Sequence, residues 1–420
     1  FVSGLARAER LAWSLATGLL VQSVLFVTLV AVFPARARLP VAAADVTIMA
    51  ASFLIRRSAG FPSPRLREEG QGEGRALVVT LLAIAAAAWL LFLVSALSEP
   101  MWSTDYLAIW GLKARTIATT GHVPQRLFSD PALYWAHREY PLLVPFSLAA
   151  FASLAGGWDD QALALLFPLC EVATLCALYG FLVRHVSPLA GATAAALTAL
   201  CFPLYRAVNV GTAEVPFAFA LVLVSTAFFD SLAERSRMVL ARLAVASLFC
   251  VSIKQEGWIF VGLLAAVLAT RRRWIPAAAI AIPAVAQWLL LYLLRGPQTR
   301  RDFDFTFFQP HHWAQLFPRF FQVLGRMLGT EALAGWLPLA AIVLYLIATR
   351  RGAADALLPI LPLQILCYAI AFSVSSFDPM YAVDGAFRRI ATTLFPALTL
   401  VLAARIPGQA ASGVNEPSRS

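Results

Sequence analysis

Long apolar runs, separated by short charged segments, dominate this chain. A helix needs about 20 mostly apolar residues to cross the hydrocarbon core of a membrane. The alternating pattern of a membrane β-barrel does not occur, so the pattern predicts an all-α, polytopic transmembrane helical bundle of about 12 spans. The twelve runs cover residues 11–33, 41–55, 76–97, 161–183, 188–204, 215–229, 239–253, 258–270, 275–294, 332–348, 356–374 and 390–404.

The composition agrees with a membrane protein. Apolar residues make up 60% of the 420 residues and charged residues 13%, against about 45–50% and about 25% in soluble domains. A soluble enzyme, a disordered chain and a nucleic-acid-binding protein are therefore excluded, and the lipid bilayer is the expected surrounding. The net charge of +10 comes almost wholly from arginine, because lysine occurs only at Lys113 and Lys254.

The arginines predict the orientation of the bundle. Basic loops stay on the cytoplasmic side of a membrane, so we place the N-terminus and the arginine-dense loops there. The alternation holds only if the apolar segment 141–155 is a short helix at, or dipping into, the outer face, and we interpret 313–328 in the same way. The cytoplasmic loops then contain Arg56, Arg57, Arg75, Arg184, His185, Arg235, Arg237, Arg242, Arg271, Arg272, Arg273, Arg350, Arg351 and Arg405.

This orientation suggests three parts. Residues 1–75 form two N-terminal transmembrane helices and a cytoplasmic linker, which is rich in proline and glycine between residues 56 and 75. Residues 76–404 form a transmembrane core with an outer loop at 98–140. Residues 405–420 form a short cytoplasmic tail.

The outer loop 98–140 is the segment richest in possible chemistry. Connections are usually a few residues long, whereas this one extends from residue 98 to residue 140. It also has many aromatic and ionisable side chains, which is typical of a functional loop. Residues 105–116 predict a helix with Asp105, Ile109 and Lys113 on one face. Asp105 has two interpretations at this point, because Thr104 or Asp105 could also simply cap that helix.

Several short motifs resemble a known superfamily. The stretch from Asp105 to Arg115, Asp-Tyr-Leu-Ala-Ile-Trp-Gly-Leu-Lys-Ala-Arg, is followed by His-Arg-Glu-Tyr-Pro-Leu-Leu-Val-Pro from His137. Together they resemble the first outer loop of GT-C glycosyltransferases, including the protein O-mannosyltransferases and aminoarabinose transferases of glycosyltransferase family 39. Gly-Thr-Ala-Glu-Val-Pro, which contains Glu214, and Lys254-Gln-Glu256-Gly resemble two later stretches of that superfamily.

The resemblance implies a membrane glycosyltransferase with an inverting mechanism. It would transfer a sugar from a polyprenyl-phosphate carrier to a lipid, glycan or protein acceptor of the cell envelope, on the periplasmic face of a bacterial inner membrane. Asp105 matches the position of the catalytic acid. The acidic pair of many members is only Asp105-Tyr106 here, and the second-loop acid is Glu214 instead of aspartate. These departures argue against a metal-dependent mechanism but leave a divalent metal open.

Elementary chemistry makes a small site sufficient. A departing phosphate needs cations to neutralise its charge, and one carboxylate can deprotonate the acceptor hydroxyl. The candidate cations for the donor phosphate are Lys254, Arg388, Arg389 and Lys113. The candidates for an acceptor or secondary site are His137, Arg138, Glu139, Glu214 and Glu256.

Each assignment has a structural alternative. Lys254 could only pair with Glu256 at a helix end, and Arg388 and Arg389 could only extend to lipid headgroups. Glu171, inside a span, is expected to pair with a polar neighbour. The rival function is a non-catalytic transporter or lipid-carrier flippase. Ion-coupled transport predicts charges near the membrane midplane and repeat symmetry, whereas this chain concentrates its ionisable residues at one face.

Overall fold

The computed structural model describes residues 6–32, 73–124, 126–295, 303–329, 356–376 and 378–404. The predicted spans at 41–55 and 332–348 and the tail at 405–420 lie outside the described residues, as does nearly all of the cytoplasmic linker. The described part is all-helical, as the hydrophobic pattern predicted.

Thirteen main helices are described along the chain. They are α1 (Arg7–Val32), α2 (Glu73–Ser98), α3 (Gly111–Thr120), α4 (Leu143–Leu154), α5 (Leu166–His185), α6 (Pro188–Ala199), α7 (Glu214–Ala233), α8 (Arg237–Ile253), α9 (Glu256–Thr270), α10 (Trp274–Arg295), α11 (Trp313–Met327), α12 (Ile360–Ser373) and α13 (Phe395–Ala403). Short helical turns lie at Arg126–Ser129, Pro131–Ala136, Asp160–Ala164, Ala207–Asn209, Phe305–Phe308, Pro310–His312, Pro379–Ala382 and Arg388–Thr392, and π-helical turns at Tyr106–Trp110 and Val383–Phe387.

Among the described residues, five helical stretches are long and apolar enough to cross a membrane. They are Gly74–Ser98, Asp160–His185, Glu214–Ala233, Trp274–Leu293 and Pro379–Ala403. Several other predicted spans are shorter apolar helices, at Pro188–Ala199, Glu256–Thr270 and Ile360–Ser373, and a bundle of twelve spans is not confirmed. The run at 188–204 is an example, because its helix ends at Ala199, ahead of Pro203. A proline disfavours helical geometry in the residue before it.

Helix α7 is the centre of the bundle. It packs against α5, α8 and α13, and nearly all of its side chains are buried. A helix that is apolar on every side lies either inside a protein core or in the lipid of a membrane, and the burial of its side chains places α7 inside the core. Its two ends therefore mark two opposite sides of the core.

A buried ion network lies at the C-terminal end of α7. The Arg184 guanidinium contacts Glu9 at 2.8 Å and Asp230 at 3.0 Å, and Arg242 lies 3.4 Å from Asp230. His185 also contacts Asp230, at 3.0 Å. We call these five residues the inner ion network, because they belong to segments predicted to be cytoplasmic. Through Glu9, it ties the N-terminal helix α1 to the core.

The two segments predicted as short helices at the outer face are both short helices. Helix α4 has 12 residues, about 18 Å at 1.5 Å per residue, which is too short for a membrane of about 30 Å. It packs against α1 and α3. Helix α11 is amphipathic: Trp313, Phe317 and Phe321 are exposed, while Val323 and Met327 are buried. This is the character of an interfacial helix.

Candidate functional site

Five ionisable side chains from distant parts of the chain meet at the N-terminal end of α7. Arg389 Nη2 lies 2.7 Å from Asp105 Oδ2, and Arg389 Nε lies 3.0 Å from Glu214 Oε1. Lys254 Nζ lies 3.2 Å from the same Glu214 oxygen and 3.0 Å from Glu256 Oε1. We call this the outer ion network, because its residues belong to segments predicted to be external. Glu214 and Asp230 are sixteen residues apart on one helix, so the outer and inner networks are about 24 Å apart.

Access to the outer ion network is uneven. The Glu214 side chain is fully buried, and the Lys254 side chain is 5% exposed. The Asp105 and Arg389 side chains are each 25% exposed. An incoming molecule therefore reaches Asp105 and Arg389 first, with Glu214 and Lys254 behind them.

Asp105 is not a helix cap. Its backbone is already helical, and its side chain makes no capping hydrogen bond. Ser103 serves that purpose instead, because its Oγ accepts a hydrogen bond from the backbone N–H of Tyr106 at 3.1 Å. The capping interpretation of Asp105 is therefore wrong, and its carboxylate is directed at Arg389.

The helix that carries Asp105 contains a π-helical turn that the sequence did not reveal. Residues Tyr106–Trp110 form this turn before α3 begins at Gly111. A π-turn changes the phase of the residues that follow it, so Asp105 and Lys113 do not share the predicted face. The Lys113 side chain is buried, and its ammonium donates a hydrogen bond to the carbonyl of His137 at 2.7 Å. Lys113 thus supports the outer loop from within.

Glycines in two of the motifs have packing explanations. Gly211 has a left-handed φ of 88°, and a Cβ there would lie 2.7 Å from the Tyr106 ring. A Cβ on Gly257 would lie 2.6 Å from the carbonyl oxygen of Cys250. Both glycines allow close contacts beside the outer ion network that any other residue would obstruct.

Lys254 makes the predicted ion pair with Glu256 and also pairs with Glu214. Burial disfavours its ammonium, yet the carboxylates of Glu214 and Glu256 outweigh burial, and the pKa of Lys254 is raised above its usual value. Lys254 therefore remains charged and holds Glu214 in place for Arg389. Its burial makes it a positioning residue for any phosphate bound outside.

The neighbouring arginines differ sharply. Arg388 is exposed, and Arg389 turns inward to two carboxylates. Arg389 is therefore not a side chain that merely extends to headgroups. Of the four predicted phosphate cations, it alone has an ion pair in the accessible part of the outer ion network.

The predicted secondary residues line the adjacent part of the outer loop. His137, with a left-handed φ of 44°, has its Nδ1 2.9 Å from Glu139 and its ring stacked on Tyr140. The Tyr140 ring in turn stacks on Trp110, in the π-helical turn that follows Asp105. Arg138 instead donates hydrogen bonds to two backbone carbonyls in the loop, those of Phe128 and Asp130.

One contact near the outer ion network was not predicted from the sequence, and one predicted contact is not found among the described residues. The Tyr106 hydroxyl donates a hydrogen bond to Asp160 at 2.5 Å, which fixes the residue next to Asp105; nothing local in the sequence signals this contact across 54 positions. Neither carboxyl oxygen of buried Glu171 has a hydrogen-bond partner among the described residues. The pairing expected for Glu171 is therefore not found there.

The outer ion network combines three carboxylates with two cations, and its formal charge is therefore −1. Within the described residues, no group of three or more His, Cys, Asp or Glu side chains is arranged to hold a metal ion.

No protein-family model, curated protein or solved structure matches this chain.

Proposed function

We propose that this protein is an integral-membrane glycosyltransferase that moves a sugar from a polyprenyl-phosphate carrier to an acceptor at the outer face of the membrane. The supporting observation is the outer ion network. Asp105, Glu214, Lys254, Glu256 and Arg389 were candidates from four separate parts of the sequence, and their side chains converge at one end of the bundle.

The accessible pair has the two groups that such a transfer requires. Asp105 accepts the proton of the acceptor hydroxyl, whose oxygen attacks the anomeric carbon. The bond between that carbon and the phosphate oxygen breaks on the opposite side, and the electron pair leaves with the polyprenyl phosphate. Arg389 neutralises the departing phosphate, and attack from the opposite side inverts the anomeric centre.

The buried part of the outer ion network keeps this pair in position. Glu214 binds Arg389 from behind, and Lys254 is a second cation that compensates the buried charge of Glu214. Such prearranged charges stabilise a transition state more than mobile ones, because they need no reorganisation during the reaction.

The direct test is turnover by the purified protein. The protein would be incubated with a panel of polyprenyl-phosphate sugars and an envelope extract as the acceptor source, and the released polyprenyl phosphate would be measured. We expect release with at least one sugar, dependent on the acceptor. If none of the panel is consumed while the protein moves the intact carrier between leaflets of proteoliposomes, the flippase alternative replaces this proposal.

A further inference from the structure

The Asp105–Arg389 ion pair sets the two proposed roles in conflict. Arg389 has to bind the donor phosphate and Asp105 has to face the acceptor hydroxyl, yet they are bound to each other at 2.7 Å. Since both are charged and partly exposed, one contact must be given up before the reaction. This inference rests on the proposed function and concerns how the donor enters the site.

The two carboxylates on Arg389 are not equally replaceable. Glu214 is fully buried and also bound to Lys254, so removing it from Arg389 would leave a buried charge with less compensation, which is costly. Asp105 is 25% exposed, and water can solvate it once it leaves. Asp105 is therefore the carboxylate that an incoming anion displaces.

Charge balance favours exchange over simple addition. The outer ion network already has a formal charge of −1, from three carboxylates and two cations. An additional anion beside a bound Asp105 would meet like charge. A phosphodiester that takes the place of the Asp105 carboxylate leaves Arg389 with the same number of anionic partners as before.

We infer that the donor phosphate binds Arg389 by displacing Asp105, and that this exchange releases Asp105 toward the acceptor. In the free enzyme the proposed base, Asp105, is therefore paired with Arg389. The donor has to bind before Asp105 can deprotonate the acceptor. Glu214 stays on Arg389 throughout as the fixed counter-ion.

The first test compares binding of farnesyl phosphate by the wild-type protein and by Asp105→Asn in detergent. Without the competing carboxylate, Asp105→Asn should bind roughly two- to fivefold more tightly, the scale of a partly exposed ion pair. Glu99→Gln removes an exposed charge from the same loop and should match the wild type. Farnesol alone and inorganic phosphate alone are tested as two further ligands. Their binding shows whether the site requires the lipid and the phosphate in one molecule.

The second test observes Asp105 itself. Saturating farnesyl phosphate should increase carbodiimide-dependent labelling of Asp105 in the wild-type protein, as measured by mass spectrometry of the peptide. Protection or unchanged labelling of Asp105 would overturn the exchange, as would equal or weaker binding by Asp105→Asn. Absence of binding by the wild-type protein would overturn the donor class as well, so the two failures can be told apart.

Discussion

At the scale of single residues, the outer ion network separates into an accessible pair and a buried support. Asp105 and Arg389 are partly exposed, whereas Glu214 and Lys254 are buried. Loss of a buried charge's partner is a stability defect, and loss of an accessible, transition-state contact is a rate defect. Substitutions in the buried layer, Glu214 and Lys254, should therefore lower stability. Substitutions in the accessible layer, Asp105 and Arg389, should lower the reaction rate.

Lys254 belongs to the buried layer, and Lys254→Met should destabilise the fold. It leaves Glu214 and Glu256 without their shared cation, and breaking a buried pair costs about 3–5 kcal/mol. The apparent melting temperature in detergent should fall clearly. The double variant Lys254→Met/Glu214→Gln should recover part of the loss; a double variant less stable than the single one would contradict this role.

Arg389 belongs to the accessible layer, and its neighbour Arg388 offers a matched control. Arg389→Ala should lower kcat/KM for the donor on the order of 10²–10³-fold, the scale for losing one preorganised electrostatic contact. Arg388→Ala removes the same charge one position away, from an exposed side chain, and should remain near wild type. Equal losses in both variants would indicate a general effect of charge.

At the scale of elements, the π-helical turn Tyr106–Trp110 sets the directions of the side chains on either side of it. It allows Asp105 to face Arg389 while Lys113 turns into the loop. Tyr106 packs against Gly211 and bonds to Asp160, so the residue beside Asp105 is fixed from two sides. Burial and the Asp160 carboxylate raise the pKa of Tyr106, which keeps its hydroxyl a hydrogen-bond donor.

Gly211→Ala tests this support, and Gly156→Ala is its control. Both glycines have left-handed φ angles, 88° and 80°, but only an added Cβ at Gly211 meets another group, the Tyr106 ring. Both variants should incur about 1–2 kcal/mol of backbone strain, and Gly211→Ala about 1–3 kcal/mol more from overpacking. Gly211→Ala should also reduce turnover, while Gly156→Ala should not. Indistinguishable melting temperatures and rates would contradict the proposed support.

The sequence predicted which residues belong to the outer end better than how they bind one another. Charge alternation grouped Asp105, Glu214, Lys254 and Arg389 on one side because it depends only on span order. The pairing of Arg389 with Asp105, 284 positions away, depends on how helices pack, which no local pattern encodes. The π-turn was missed for a related reason, since its residues fit an ordinary helix equally well.

At the scale of the whole molecule, α7 links the two ion networks through the centre of the bundle. Glu214 begins the helix and Asp230 lies near its end. The inner ion network includes Arg184 and Arg242, from segments predicted to be cytoplasmic, and the outer one includes Asp105 and Arg389, from segments predicted to be external. This separation agrees with the charge-based orientation, which itself remains a prediction.

The orientation can be tested by labelling single cysteines with a membrane-impermeant reagent. The background would lack the native cysteines Cys170, Cys176, Cys201, Cys250 and Cys367. Thr119→Cys, exposed on α3, should react in intact cells, and Arg271→Cys, exposed after α9, should react only after permeabilisation. The reverse pattern would place the outer ion network on the cytoplasmic side and contradict periplasmic transfer.

The most direct measurement of the central claim is the turnover of Asp105→Asn. Asparagine preserves the shape of the side chain but cannot act as the base. The variant should fold, bind polyprenyl phosphate more tightly than the wild type and lose on the order of 10²–10⁴ in the rate of polyprenyl-phosphate release, the usual contribution of a general base. Release at nearly the wild-type rate by a well-folded Asp105→Asn protein would contradict the account.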